Sequence, residues 1–92
     1  MRRGFEHLFA EISVRLGRLA PRYALWLRLR ELDFDPERLT RAQAVAFCRT
    51  HLDGFLREHG LALSERAIQR LVRTVARHDP QLPSAAEWAA RL

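Results

Sequence analysis

Apolar residues recur at intervals of three and four along most of this 92-residue chain, the spacing that builds one face of an α-helix. The first such set comprises Phe5, Leu8, Phe9, Ile12, Leu16 and Leu19. A helix with one apolar face must bury that face against another element. The chain is therefore expected to fold as several packed helices, with Glu6, His7 and Arg18 directed away from the core.

The second segment, residues 23–32, fits two patterns. Leu25, Leu27 and Leu29 alternate with other residues as they would in a strand, whereas Leu25, Leu29 and Leu32 fit a helix. A lone strand would have no partner elsewhere in the chain, and leucine, arginine, alanine and glutamate favour helices. We expect a helix with apolar contacts on more than one side, forming the central element.

A third helix is predicted for residues 40–59. Thr40 and Gln43 match a capping box at its start, and Gly60 occupies the position that usually ends a helix. Its predicted apolar face comprises Ala44, Val45, Cys48, Leu52, Phe55 and Leu56. Phe47 lies off that face, so we expect it at an interface with another helix or subunit. Trp26 is the second candidate interface residue, with core packing as the alternative.

Two further helices complete the predicted fold. Ser64 caps a fourth helix over residues 64–78, and the capping-box pattern of Ser84 and Glu87 starts a short fifth helix that carries Trp88. The sequence therefore predicts an all-α, compact bundle of four to five short helices, in a single domain spanning residues 1–92.

The fourth helix carries Arg66, Arg70, Arg73 and Arg77 at spacings of four, three and four, which places them in one stripe. Neighbouring like charges on a helix cost about 0.2–0.5 kcal/mol each, and within this segment no acidic residue stands three or four positions away. Three explanations are open: a solvated face, pairing with acids elsewhere in the fold, or an anionic ligand. The candidate internal acids are Asp33, Asp35 and Glu37.

The overall charge adds little to this argument. The net charge is +5, but all 16 basic residues are arginine, which is typical of a GC-rich coding sequence. Only the placement of the arginines is therefore informative. Residues 60–73 somewhat resemble the turn and recognition helix of a helix–turn–helix motif, with Gln69 positioned to reach a base. The connection from Gly60 to Ser64 is longer than the usual tight turn of that motif.

Metal-binding patterns are incomplete. Cys48, His51 and His59 lie near one side of the third helix, but zinc sites with thiolate ligands are normally rich in cysteine, so Cys48 is expected to be a small core residue. The acids after the second helix alternate like a calcium loop, yet Arg38 stands where that loop needs glycine and Ala44 where it needs glutamate. We predict no metal and no cofactor.

Catalytic groups are equally sparse. Ser64 and Ser84 are explained as helix caps, and Ser13 has no obvious base beside it. His7 and Glu11 could pair on the first helix, but we infer no pocket around them. The four glycines are isolated, so no phosphate-binding glycine loop is present. We therefore expect a protein that is not an enzyme and has no small-molecule substrate.

The function that these observations favour is a small non-enzymatic binding module, most simply a protein–protein adaptor or a small subunit of a larger assembly. A protein partner or self-association is expected. The alternative is a nucleic-acid-binding helical domain that uses Arg66, Arg70, Arg73, Arg77 and Gln69. A single cysteine, the absence of a signal-like apolar run and the absence of a stretch long enough to span a membrane favour a cytoplasmic location.

Overall fold

The computed structural model describes residues 3–77, which form five α-helices and one 3₁₀ turn and include no β-strand. The elements are α1 (Arg3–Leu16), α2 (Arg22–Glu31), the 3₁₀ turn (Pro36–Arg38), α3 (Arg41–Thr50), α4 (Leu52–Glu58) and α5 (Glu65–Arg77). This compact arrangement confirms the predicted all-α class. The predicted final helix, with Ser84 and Trp88, lies outside the described residues. In the described part of the chain, no helix is long and apolar enough to cross a membrane.

The centre of the bundle is α1, which contacts α2, α3, α5 and the 3₁₀ turn. The most extensive pairing of two elements is between α3 and α5. Fully buried side chains from all five helices form one cluster. Its largest members are Phe5, Leu8, Ile12, Leu25, Leu29, Phe47, Leu52, Phe55, Leu56, Leu71 and Val75.

The second segment is a helix, as its composition predicts, but it is not the central element. Only Leu25 and Leu29 of α2 are buried, and its main contacts are with α1 and the 3₁₀ turn. Tyr23 and Leu27 face away from the core and are exposed. The apolar residues of α2 therefore occupy two sides, of which the fold buries one.

The predicted third helix is divided into α3 and α4 at His51. The backbone torsions of His51 are φ −119° and ψ −22°, far from the helical φ of about −63°. The hydrogen bonds from the His51 amide to the Phe47 carbonyl, at 2.8 Å, and from the Phe55 amide to the His51 carbonyl, at 3.0 Å, are nevertheless kept. The buried residues of α3 are Ala44, Phe47 and Cys48, and those of α4 are Leu52, Phe55 and Leu56.

Three helices end in a residue with left-handed backbone torsions. Gly60 has φ +70°, and the Leu61 amide donates to the Leu56 carbonyl at 2.8 Å, which closes α4 as predicted. Gly17 has φ +72° after α1, and Asp33 has φ +63° after α2, where the Phe34 amide donates to the Leu29 carbonyl at 2.9 Å. The same motif is thus built twice on glycine and once on aspartate.

The predicted starts of the third and fourth helices are confirmed. The Gln43 amide donates to the Thr40 hydroxyl at 3.1 Å, and the Thr40 amide donates to the Gln43 side chain at 3.1 Å, completing the capping box. The Ala67 amide donates to the Ser64 hydroxyl at 3.1 Å. This cap fixes the start of α5, and with it the position of the arginines along that helix.

Candidate interaction surfaces

Arg66, Arg70, Arg73 and Arg77, here called the arginine stripe, are all exposed along α5. On the opposite side of the helix, Leu71, Val72 and Val75 are buried against the core. This orientation is the one that the spacing predicts. Within residues 3–77, no carboxylate forms an ion pair with any arginine of the stripe. The proposed internal pairing with the acids that follow α2 therefore does not occur there.

The stripe lines a concave surface. Arg66, Gln69, Arg70 and Arg73 enclose a cleft of about 480 Å³. Its lining consists of three guanidinium groups and one carboxamide. The cleft can therefore accept hydrogen-bond acceptors that carry negative charge, and Gln69 adds one neutral donor and acceptor.

A second cleft, of about 600 Å³, adjoins the first between α5 and the α3–α4 segment. Gln69 and Arg73 line both clefts, and Arg49 adds a guanidinium from α3. The second cleft also contains acids, because Asp53 pairs with Arg57 at 3.1 Å and Glu65 lies at its edge. Positive charge without neighbouring carboxylates is therefore concentrated in the first cleft.

A different surface is formed by Leu19, Tyr23 and Leu27, here called the outer face of α2. Their exposed fractions are 77%, 66% and 42%, respectively, which are high values for large apolar side chains. The expectation that Leu19 lies in the core is wrong, because α1 ends at Leu16 and Leu19 lies in the connection to α2. Sequence reasoning missed this face because the leucines of α2 fit two orientations.

Beside the outer face lies a cleft of about 390 Å³ lined by Phe5, Arg22, Tyr23 and Trp26. The Trp26 ring packs edge-on against Phe5, with ring centroids 5.3 Å apart, and remains partly exposed. The Arg22 guanidinium lies 5.2 Å from the Phe5 ring centroid and forms an ion pair with Glu6. Trp26, a predicted interface residue, is thus part of an accessible aromatic cleft.

The prediction that Phe47 lies at the surface is wrong. Phe47 is fully buried and packs against the Phe55 ring with centroids 6.1 Å apart. The predicted apolar face of residues 40–59 was too narrow, because Ala44, Phe47 and Cys48 stand three and four positions apart and are all buried in α3. Phe47 therefore belongs to the core and cannot contact a partner in this conformation.

His7 was expected outside the core, but His7 and Glu11 are both buried, with 2% and 5% of their surface exposed. They lie one turn apart on α1. Both side chains make polar or ring contacts. They are therefore not an exposed pair.

The remaining candidate residues have structural roles. Burial removes the Cys48 thiol from water and raises its pKa to about 12, so the thiol is protonated at neutral pH. Among residues 3–77, no group of three or more potential ligands converges on a metal position. The Asp35 carboxylate accepts a bond from the Glu37 amide at 3.0 Å, which caps the 3₁₀ turn. The Ser13 hydroxyl accepts a bond from the Ala20 amide at 3.0 Å.

Comparison with known proteins adds no relative. No protein-family model matches the chain, and searches of curated proteins and of solved structures gave no significant match. Functional inference therefore rests on the two surfaces described above.

Proposed function

We propose that this domain is a protein-binding module that uses the outer face of α2. The observation that supports the proposal is the exposure of Leu19, Tyr23 and Leu27 next to a cleft that contains Trp26. Single exposed leucines are common on soluble proteins, but here three large apolar side chains follow one another at intervals of four residues, and Tyr23 also lines an aromatic cleft. Burying each of them on binding would contribute about 1.5–3 kcal/mol before the costs of association.

The chemistry of the surroundings favours a particular partner. Arg18 precedes the outer face, and Arg30 follows it two turns into α2. Both are exposed, and neither has a carboxylate partner among the described residues. A partner with apolar side chains between acidic residues would complement this pattern. An amphipathic helix supplies such a pattern at intervals of three and four residues.

A second copy of the chain fits this surface less well. Two copies of α2 in antiparallel contact would place Arg18 of one copy near Arg30 of the other. In parallel contact, each arginine would face its equivalent. Like charges across an interface oppose association, so both arrangements disfavour a symmetric dimer through this face.

The proposal can be tested with a display library of amphipathic helices of about 18 residues, in which both the apolar positions and the residues that flank them are randomised. We expect selection against the domain to enrich helices with Leu, Phe or Trp anchors and flanking Asp or Glu. The double variant Tyr23→Ser/Leu27→Ser should weaken binding of the selected helices at least about tenfold. The matched control is Val14→Ser, which removes an apolar side chain that is 52% exposed on α1 and should change affinity less than twofold.

Three results would count against the proposal. One is the failure to enrich any helix, and another is the enrichment of helices with basic flanks. The third is a concentration-dependent dimer in sedimentation that Tyr23→Ser/Leu27→Ser dissociates, because it would assign the outer face to self-association.

A further inference from the structure

We propose that the arginine stripe is a second binding site, for the phosphodiester backbone of a double-stranded nucleic acid. Its four guanidinium groups follow one another along α5 and repel each other, and none is neutralised by a carboxylate of residues 3–77. Only aliphatic residues of α5 are packed in the core. Core packing therefore does not explain why arginines occupy the exposed side of this helix. A ligand that supplies a row of negative charges would relieve the repulsion.

The dimensions of the stripe fit such a ligand. From Arg66 to Arg77, α5 rises by about 16 Å, and one strand of a duplex carries about one phosphate per 3.4 Å along the axis. Because each strand also winds around the axis, successive phosphates are farther apart than this rise, and the stripe is long enough for about three or four of them. Arginine is suited to this contact because its planar guanidinium group can donate two parallel hydrogen bonds to one phosphate. Phosphate groups could enter the cleft that Gln69 forms with three of these arginines.

The residues that line the two clefts favour a double-stranded ligand over a single-stranded one. Single-stranded nucleic acids are usually held by aromatic side chains that stack on the bases. Among the described residues that line the two clefts beside the stripe, none is aromatic. The accessible aromatic residues Tyr23 and Trp26 lie on α2, away from α5. The residues beside the arginine stripe are thus suited to contact the phosphodiester backbone of a nucleic acid rather than unstacked bases.

An anionic membrane is disfavoured by the position of the apolar residues of α5. A helix that lies in a membrane interface inserts an apolar face into the lipid. In α5, Leu71, Val72 and Val75 are buried in the protein core, so they are not accessible to lipid. Among the residues that the structure describes, those that line the cleft of the arginine stripe are all polar.

The test is binding of the full chain to a fluorescently labelled duplex of about 20 base pairs, measured by anisotropy at several salt concentrations. Four phosphate contacts predict that log K falls with log salt with a slope of about −3.6. The variant Arg66→Gln/Arg70→Gln should reduce the slope to about −1.8 and weaken binding roughly 60-fold at 0.1 M salt. Glutamine favours helix nearly as well as arginine, so α5 should be retained, which circular dichroism checks.

The matched control is Arg38→Gln/Arg41→Gln, which makes the same change in net charge at two exposed positions that line neither cleft beside the stripe. It should bind the duplex within about twofold of the parent chain. Equal loss in both double variants would show that only net charge attracts DNA and would overturn the proposal. It would also be overturned by no binding at low salt, by tighter binding to single strands, or by binding to vesicles with anionic lipid but not to duplex.

This site is independent of the outer face of α2. The variant Tyr23→Ser/Leu27→Ser should bind the duplex as the parent chain does. Failure of one proposal therefore leaves the other testable. Duplex binding that is lost only in the variant of α2 would count against the assignment to the stripe.

Discussion

The Arg15 guanidinium of α1 donates a hydrogen bond to the Thr74 hydroxyl of α5, with Nη2 and Oγ1 3.1 Å apart. The same hydroxyl donates to the Arg70 carbonyl at 3.1 Å. Arg15 is partly buried, so this contact is shielded from water on one side. It ties α1 to α5 beside the arginine stripe and helps to set the rotation of α5 that leaves the stripe exposed.

Thr74→Val should destabilise the domain, because valine keeps the shape of threonine but cannot accept the bond from Arg15. We expect the free energy of unfolding to fall by about 1 kcal/mol, the usual net contribution of such a bond at a partly exposed site. Urea unfolding followed by circular dichroism measures this change. Thr50→Val is the control, since Thr50 is exposed at the end of α3, and its effect should stay within about 0.5 kcal/mol. Equal stability of the two variants would contradict the role given to this bond.

Gly4→Ala and Gly54→Ala should have opposite effects. Both glycines lie in helices, where alanine is normally favoured by about 0.5–1 kcal/mol. A Cβ at Gly4 would overlap the Leu39 carbonyl oxygen and stand 3.1 Å from its carbon, so α1 would have to move away from the 3₁₀ turn. A Cβ at Gly54 would meet no described atom within 4 Å.

We therefore expect Gly4→Ala to lower the free energy of unfolding by about 1–3 kcal/mol, and Gly54→Ala to raise it by about 0.5–1 kcal/mol. Thermal or urea unfolding of the two variants in parallel measures both changes. A Gly4→Ala variant that is more stable than the parent chain would show that α1 does not approach Leu39 as described.

Asp33→Gly should stabilise the domain. Asp33 has φ +63°, a conformation that costs an L-residue about 1 kcal/mol and costs glycine almost nothing. The greater freedom of glycine in the unfolded chain offsets part of the gain, so we expect an increase of a few tenths to about 1 kcal/mol. The comparison variant is Asp33→Ala, which keeps the strain and also removes the carboxylate. If both variants change stability equally, the backbone conformation is not the cause.

Stability should fall at high pH because of Cys48. Its thiol has a pKa of about 12 in the folded protein and near 9.0 when unfolded. Since the folded pKa is the higher one, the stabilisation is complete below pH 9 and is lost as pH rises from 9 towards 12. The free energy of unfolding should then decrease by about 1.4 kcal/mol per pH unit in that range.

Urea unfolding at several pH values measures this dependence. Cys48→Ala is the control, because it removes the titrating group and should make the pH dependence above 9 shallower, although it lowers stability at every pH. A parallel dependence in both proteins would assign the effect to other groups. Alkylation of Cys48 at pH 8 should also be slow in the folded protein, since only the thiolate reacts.

Local patterns in the sequence predicted most of the architecture. The spacing of three and four residues located α1 and α5. The sequence also predicted the helix caps at Thr40 and Ser64 and the helix end at Gly60. These features depend on residues that are close together in the chain. The exposed arginine stripe followed from the same spacing. In each case the decisive interactions lie within one or two helical turns.

The errors arose where contacts between distant segments decide the outcome. The break at His51 has no proline or glycine at that residue, so the sequence did not indicate it. Phe47 is buried although it lies at the margin of the apolar face that the spacing indicated. His7 is buried although a polar residue is ordinarily placed outside. Leucines on both sides of α2 left open which side would face the core, and the exposure of Leu27 is set by how α2 rests on α1.

The central position of α1 has a consequence for how the domain would operate. Both α2 and α5 pack on α1, and the aromatic cleft and the cleft of the arginine stripe share no described lining residue. Under the two proposals, the two ligands would therefore contact different residues. A chain of this design could hold a protein and a polyanion at the same time and act as a short tether between them.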